Sequence, residues 1–417
     1  MRLDRALASV EWQARFPLAD LTHLVAATSD HSPILANLNR EQRHNQRHST
    51  FKYEVMWEGH ESWSNKIAET WANTGAATRL EELRAKLSAV SQDLGRWNRD
   101  TLGSVHKEIK QLKGELEKLR SDASRTAPTH AERKINEKLG EVYHREEVMW
   151  RQRSRVQWLS SGDRNTKFFH LRASIRRKKN MIKALQNSLG VITYDPDELK
   201  VMVNDFYKNL YTTEGVSNME TVLDSGPMKV TSEMNEMLNA PYSHSEVKTA
   251  MFQMFLTKAH GLDGFPAHFY QHHWDLCGAE VTEAVLRIIR GEESPESIND
   301  TVLVLIPKVM NPTMLTQFRP ISLCNVLYKI ASKVIANRLK MILPDIISEE
   351  QSAFVLGRHI TDNIISAYEC LHFMKRSKAK VNSFCALKLD MMKAYDRLEW
   401  DYLKAMMIKL GFAPSWV

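Results

Sequence analysis

Apolar residues along this chain recur at two different periods, and each predicts a different kind of element. Leu80, Leu83, Leu87, Val90, Leu94 and Trp97 follow a three-four spacing, which puts one continuous apolar stripe on a helix. After a break containing Gly103, Val105, Ile109, Leu112, Leu116 and Leu119 repeat the pattern until Pro128 closes it. Ile135, Leu139, Val142 and Met149 carry a further helical segment. Heptad runs this short favour an antiparallel helical hairpin packed seam to seam. A coiled coil between chains is the alternative.

Toward the other end, short strand-like runs alternate with helical stripes. TVLVLIPK is an uninterrupted apolar run ended by Pro307, and a turn-rich NPT follows. Leu327, Ile330, Val334, Leu339 and Ile342 then form an amphipathic stripe that Pro344 terminates. From about Thr361, Ile364, Ile365, Tyr368 and Leu371 predict a helix with these residues facing inward. Phe384 to Asp390 alternates as a strand, placing Cys385, Leu387 and Leu389 on one face and ending at Asp390 on the other. Asp396 and Glu399 have capping-box spacing, and Leu398, Leu403, Met406 and Leu410 continue at helical period to Gly411. Asp263-Gly264 reads as a turn, and the Gly/Ser/Asn-bearing stretch from Thr212 to Ser232 as a loop. The fold class expected is α+β and helix-rich.

Charge changes the picture in one region. The 417 residues carry a net +7, which favours an anionic partner. Arg151, Arg153, Arg155, Arg164, Lys167, Arg172, Arg176, Arg177, Lys178, Lys179 and Lys183 face only Asp163, with Trp150, Trp158, Phe168, Phe169 and His170 interleaved. Cations displace counterions from phosphates and aromatic faces accept bases, so the stretch suits nucleic acid; a solvated helix face is the alternative. Arg176 to Lys179 also fits a weak nuclear-import signal. No signal peptide or apolar run of about 20 residues is present, so no membrane partner is expected. Cys277, Cys324, Cys370 and Cys385 lie far apart among apolar residues and read as buried thiols in a reducing compartment, nuclear or cytoplasmic. His268 and His272 have metal-ligand spacing but no Glu between them in the HExxH manner, and read as solvated or partly buried histidines.

Asp390, at the C-terminal edge of its strand, is suited to a divalent metal beside a nucleotide. The string LKLDMMKAYDRLEW around it resembles motif A of reverse transcriptases, in the version of plant-type non-LTR (LINE-type) retrotransposons. FRPISL with its following helix, and QSAFVLGR, resemble the same family's fingers. The resemblance implies that Asp390 is the first metal-binding aspartate, for Mg²⁺, and that Tyr395 is the gate sensing the nucleotide sugar. From its residue type alone, Tyr395 is a half-buried aromatic with its hydroxyl in water. Met392 stands where the family usually has a small Ser, and crowds the site. Lys308 and Arg319 would lie against the triphosphate, where an ammonium and a guanidinium fork suit phosphate oxygens; ordinary surface charge is the other reading. Gln351 and Arg358, with Phe354 and Gly357, would touch template or support the fingers.

The resemblance extends along the chain. KAHGLDGFPAHFYQHHW is similar to the family's KAPGPDG turn and FYQxxW, with His260 and Leu262 replacing both turn prolines. WLSSGDRNTKFFHLRASIRRKKN also matches, implying that Arg172, Arg176, Arg177, Lys178 and Lys179 contact RNA and DNA, as template or primer. RFPLADLTHLVAATSDHSPILANL looks like the closing strands of an endonuclease/exonuclease/phosphatase fold, with Asp30 and His31 matching its phosphodiester-cleaving pair. The metal-binding Asn and Glu of that fold have no counterpart here, so no cleavage is expected.

The implied organisation is an endonuclease α/β-sandwich remnant over 1–40, a basic helical hairpin connector over 41–190, and the fingers and first palm strand of a reverse transcriptase over 191–417. The implied chemistry is template-directed attack of a primer 3′-hydroxyl on a nucleotide α-phosphate. The family completes its two-metal site with adjacent aspartates, and no Asp-Asp pair occurs in the chain. A truncated, catalytically incomplete polymerase is therefore expected. A non-catalytic nucleic-acid-binding remnant and a helical oligomerisation protein are the alternatives.

Overall fold

In the computed structural model, the residues described are 6–16, 19–23, 34–38, 50–121, 129–156, 166–187, 189–213, 215, 218–224, 226–256, 258–377, 384–391 and 393–417. The first third contains helix α1 (Val10–Arg15), strands β1 (Asp20–His23) and β2 (Ile34–Asn37), and helices α2 (Trp63–Asn73), α3 (Leu80–Trp97), α4 (Val105–Arg120) and α5 (His130–Ser154). Next come α6 (Thr166–Lys179), β3 (Leu185–Gln186), β4 (Ile192–Thr193), α7 (Pro196–Tyr211), α8 (Met219–Leu223), α9 (Ser232–Asn239) and α10 (His244–Phe252). The remainder holds α11 (Ala267–His272), α12 (Trp274–Ile289), α13 (Glu296–Asn299), β5 (Val302–Pro307), β6 (Phe318–Leu323), α14 (Val326–Ile346), α15 (Ile360–Arg376), α16 (Ala394–Arg397) and α17 (Trp400–Leu410). Three two-stranded antiparallel sheets, β1-β2, β3-β4 and β5-β6, are the sheets among the described residues. The class is thus helix-rich α+β. The chain forms two compact units, Met1–Lys183 with Met251–Tyr328, and Ala184–Ala250 with Lys329–Val417.

In the first unit the stripe of α3 is core: Leu80, Leu83, Leu87, Val90 and Leu94 are all buried where α3 packs on α2 and α12. Burying each such side chain contributes about 1.5–3 kcal/mol. Lys86, at 3% exposure, enters this interface because its ammonium is paired, donating to both Glu280 oxygens at 2.7 and 3.0 Å and lying 4.8 Å from the Trp71 ring centroid. A π turn over Asn98–Leu102 and Gly103 at φ 62° end α3, and α4 starts afresh two residues later. The predicted hairpin is α4 with α5. Its antiparallel sense follows from His106 against Trp150, Glu108 bonded to Arg145 at 2.7 Å, and Arg120 near Glu132 at 3.7 Å. The seam is closed within one chain, with Ile109, Leu112, Leu116, Leu139 and Val142 buried.

An aromatic cluster, Tyr53, Trp57, Trp63, Phe265 and Phe269, joins residues 51–63 to the turn and helix at 261–272, with ring centroids between 4.5 and 6.5 Å apart. The turn at Asp263-Gly264 forms as expected: Gly264 sits at φ 79°, and its carbonyl accepts from Tyr53 N–H at 3.1 Å. A Cβ on Gly264 would lie 2.3 Å from the Phe51 carbonyl oxygen. His273, nearly buried against Trp63, has its pKa pulled down to about 4, chiefly by that burial and also by His272.

In the second unit, Val230, Leu238, Ile342, Ile346 and Phe412 form the core. Arg338 of α14 is also buried in this unit. Its guanidinium donates to both Glu246 oxygens at 2.7 and 3.0 Å, to the Leu238 and Pro241 carbonyls at 2.8 and 2.9 Å and to the Ala240 carbonyl, and lies 3.6 Å from the Tyr242 ring centroid. The fork thereby binds the C-terminal end of α9 to α10 through one side chain.

Several expectations are corrected. Phe384 to Asp390 forms no strand: it has no ladder partner among the described residues, and Phe384, Leu387 and Leu389 are exposed. An alternating run becomes a strand only when a neighbour takes up its N–H and C=O groups. Helix α15 forms, but Ile364, Ile365, Tyr368 and Leu371 are 50–66% exposed and do not face inward. Helix α14 runs two residues past Pro344, although proline there cannot donate to the carbonyl four residues back, so Pro344 lies in the last turn rather than ending the helix. Glu399, not Asp396, is the N-cap of α17, and no side-chain cap bond forms there. Cys277 is buried, but Cys370 and Cys385 are exposed; all four cysteines are free thiols. The loop from Thr212 to Ser232 contains the short helix α8.

Two outcomes follow. Gly264→Ala is expected to lower stability by about 2 kcal/mol or more, since it adds left-handed strain to a backbone clash, and an unchanged urea midpoint would refute this. Hydrogen bonding from Arg338 pulls the Glu246 carboxyl down to about 2 from an ordinary 4.5, against the opposing effect of burial. Its contribution is therefore full above pH 4.5 and lost as pH falls toward 2. The stability difference between wild type and Glu246→Gln should shrink across that window; parallel acid-unfolding curves would contradict the assignment.

Candidate functional site

The basic tract is carried by the end of α5 and by α6. Phe169 is the anchor of α6: at 1% exposure it is core where α6 packs on α5, while the basic residues toward the end of the helix stay exposed. Arg172, Arg176 and Lys179 then fall at i, i+4 and i+7 on one exposed face, joined in the last turn by Arg177 and Lys178. Cations in a helix's last turn suit its dipole, but like charges one turn apart repel. Among the described residues, Arg172, Arg176, Arg177 and Lys179 are in no ion pair, while Lys178 donates to the Ala19 carbonyl. Burial and then the neighbouring Arg176 push the Arg155 guanidinium pKa down. The tract does not face Asp163 alone, since Arg153 pairs with Glu54 at 2.8 Å and Lys167 lies 3.9 Å from Glu11, but the field along the last turns of α6 is positive.

Aromatic groups accompany it. Trp150 meets His170 edge to face at 4.2 Å, Arg153 lies 5.4 Å from the Trp150 centroid, and Arg172 lies 5.4 Å from that of Phe168. Burial, followed by His106, lowers the His170 pKa, so this imidazole is held toward its neutral form. Trp158, Asp163 and Arg164 lie outside the described residues.

Lys308 and Arg319 are brought together by strand register. Ile306 pairs with Arg319, and Lys308 N–H bonds the Gln317 carbonyl at 2.8 Å, one step further along. Residues 306, 308 and 319 therefore share a face, the two cations being diagonal neighbours, while Leu305, Pro307 and Phe318 are buried on the other. Both cations are exposed; the Lys308 ammonium reaches the Thr316 carbonyl at 3.4 Å. A point charge beside a planar fork can hold adjacent phosphate oxygens.

The other polymerase-type residues belong to the second unit. Asp390 and Tyr395 are both exposed; Tyr395, at 81%, is not half-buried, and its ring lies 6.4 Å from that of Phe354. Phe354 takes φ 66°, an uncommon conformation for a bulky residue and a sign of stored local strain. Gln351 is exposed. Arg358 spends its fork locally, donating to the carbonyls of Pro344, Ile347, Ser348 and Gln351, so it closes the C-terminal end of α14.

As a Mg²⁺ site, this arrangement supplies too few donors. Mg²⁺ is held in such sites by carboxylates working with substrate phosphates. Asp390 belongs to no group of three His, Cys, Asp or Glu ligands among the described residues, so those residues do not fit the ion by themselves. Asp30, His31 and Met392 lie outside the described residues.

Sequence reasoning missed two groups. Arg338 looked like one more polar residue on an amphipathic helix, and nothing local marks its burial. Glu58 gave no signal either, yet it meets His268, 210 residues later, at 2.7 Å.

Comparison with known proteins accords with this geometry. Residues 306–417 match the family described as reverse transcriptase (RNA-dependent DNA polymerase), a segment that takes in both cations of the β5-β6 hairpin and Asp390. Over 267 residues, 64% of the chain, it is 32% identical to the transposon TX1 uncharacterized 149 kDa protein of Xenopus laevis. The chain spans 20% of that protein's length. No helix among the described residues is long and apolar enough to cross a membrane. Residues 306–417 are thus similar to a reverse transcriptase domain, and most of the chain is similar to part of a transposon protein.

Proposed function

We propose that this chain is a nucleic-acid-binding part of the reverse transcriptase of a LINE-type (non-LTR) retrotransposon of plant type. The reverse transcriptase match over 306–417 is the observation that carries this reading. The face of α6 bearing Arg172, Arg176, Arg177 and Lys179 supports binding of RNA or DNA template and primer, because among the described residues these cations are in no ion pair that phosphate would have to displace. Lys308 and Arg319, side by side on the open face of the β5-β6 hairpin, act on the phosphates of the incoming nucleotide or the template strand. Asp390 corresponds to the polymerase's first metal carboxylate, which would need donors beyond the described residues to hold Mg²⁺, and Tyr395 flanks the nucleotide sugar. Residues 1–40, with the β1-β2 hairpin, derive from an endonuclease/exonuclease/phosphatase-like domain whose matching pair is Asp30 and His31.

These 417 residues contain no Asp-Asp pair to join Asp390, so they bind nucleic acid without extending a primer. The test is binding of an unstructured single-stranded RNA across a salt series. Changing Arg172, Arg176, Arg177 and Lys179 to Gln should weaken binding and flatten the slope of log K against log salt by about 3, with Lys178 kept because it holds Ala19. Unchanged affinity and slope would remove α6 from the interface. Mg²⁺-dependent primer extension by the purified chain, abolished by Asp390→Ala, would overturn the non-catalytic reading.

A further inference from the structure

The turn that joins residues 51–59 to α11 carries a ligand set unrelated to polymerisation. Glu58, in the short 3-10 helix Val55–Gly59, faces His268 and His272, one turn apart on α11. One ligand atom from each residue lies within 4.8 Å of the others. Glu58 Oε1 is 2.7 Å from His268 Nε2 and accepts from the Tyr53 hydroxyl at 2.9 Å, so the carboxylate is already oriented.

We propose that Glu58, His268 and His272 form a binding site for a divalent transition metal of the zinc class. Two imidazoles and one carboxylate are a zinc-type donor set, and three protein ligands leave a fourth position for water. The geometry provides for both. Glu58 and His268 are partly buried, with Glu58 tied to Tyr53 of the aromatic cluster, while His272 is exposed and opens the site to solvent. Trp63 stands 5.4 Å from His272, edge to face, and restricts its ring. Buried polar capacity beside the cluster is unused: His273 Nε2 and Trp63 Nε1 have no hydrogen-bond partner, and the His273 ring is 5.1 Å from that of His272.

Tetrahedral zinc with bonds near 2.0–2.1 Å separates its ligand atoms by roughly 3.3 Å. The Glu58–His268 pair would open slightly and the widest separation would close, both within reach of side-chain rotation. A metal here would clamp segments 210 residues apart in sequence, and its binding energy would add to the stability of the first unit. The site shares no residue with the proposed nucleic-acid face, so each can fail without the other.

The experiment is Zn²⁺ titration of the full chain against a chromogenic chelator, with thermal unfolding in parallel. Wild type should take up one Zn²⁺ per chain and show a raised unfolding midpoint. Exposed His272→Ala, which gives up only ring contacts with Trp63, His268 and His273, should weaken binding more than about 100-fold, beyond the 10–100-fold typical of outer-shell partners, and abolish the midpoint rise. Glu58→Gln, which keeps an acceptor for Tyr53 and His268, should also weaken it; His372→Ala, at an exposed histidine elsewhere, should not. The site is refuted if wild type takes up no stoichiometric Zn²⁺, or if His272→Ala binds as tightly as wild type.

Discussion

Two buried side-chain systems decide where everything else can be. In the first unit, the rings of Tyr53, Trp57, Trp63, Phe265 and Phe269 hold an early segment of chain against a late one. The hydrogen bond from Tyr53 to the Gly264 carbonyl fixes their register, and only glycine leaves room for the Phe51 backbone there. Helices α2 and α3 are held on α12 in the same unit, and the buried Lys86–Glu280 pair leaves no unpaired charge between them. Arg338 plays the corresponding part in the second unit, gathering three carbonyls, a carboxylate and a ring. Losing either partner of such a pair strands a charge in a low-dielectric interior, which is far more costly than losing a surface bridge.

The functional surfaces follow the opposite rule. Arg172, Arg176, Arg177 and Lys179 crowd one another and are in no ion pair among the described residues, and Lys308 and Arg319 stand diagonally on one open face. Each arrangement is electrostatically unfavourable in the free protein and becomes favourable when polyanionic phosphate arrives. Phe318 makes this possible in the hairpin by burying the opposite face of its strand, and on α6 the cations stay exposed beyond the buried Phe169.

How much was legible in the sequence depended on whether the information was local. Periodicity located α3, α4, α5, β5, α14 and α17, because core-facing stripes in those segments are continuous. It failed for the burial of α15 and for the strand before Asp390, since the apolar pattern of a segment does not say whether a neighbour covers it. Lys308 and Arg319 were found from their motif, but their adjacency depends on antiparallel register. His268 and His272 were visible as a pair, whereas Glu58 was not, because the turn that brings it there spans half the chain. Arg358 was expected from its motif to touch template or support the fingers, and only the geometry of the α14 terminus shows where its donors go.

The two units interleave: each is assembled from two separate stretches of chain, and each encloses residues far apart in sequence. The backbone N–H of Leu80 bonds Glu293, and that of Ala77 bonds Glu280, across separations of 213 and 203 residues. During synthesis at about 5–20 residues per second, the start of α3 would wait on the order of ten to forty seconds for its partner to emerge. Through that interval the leucine stripe of α3 would be made but uncovered. The α4–α5 hairpin, whose contacts are local, can close first and leave a single apolar helix face to be protected rather than three.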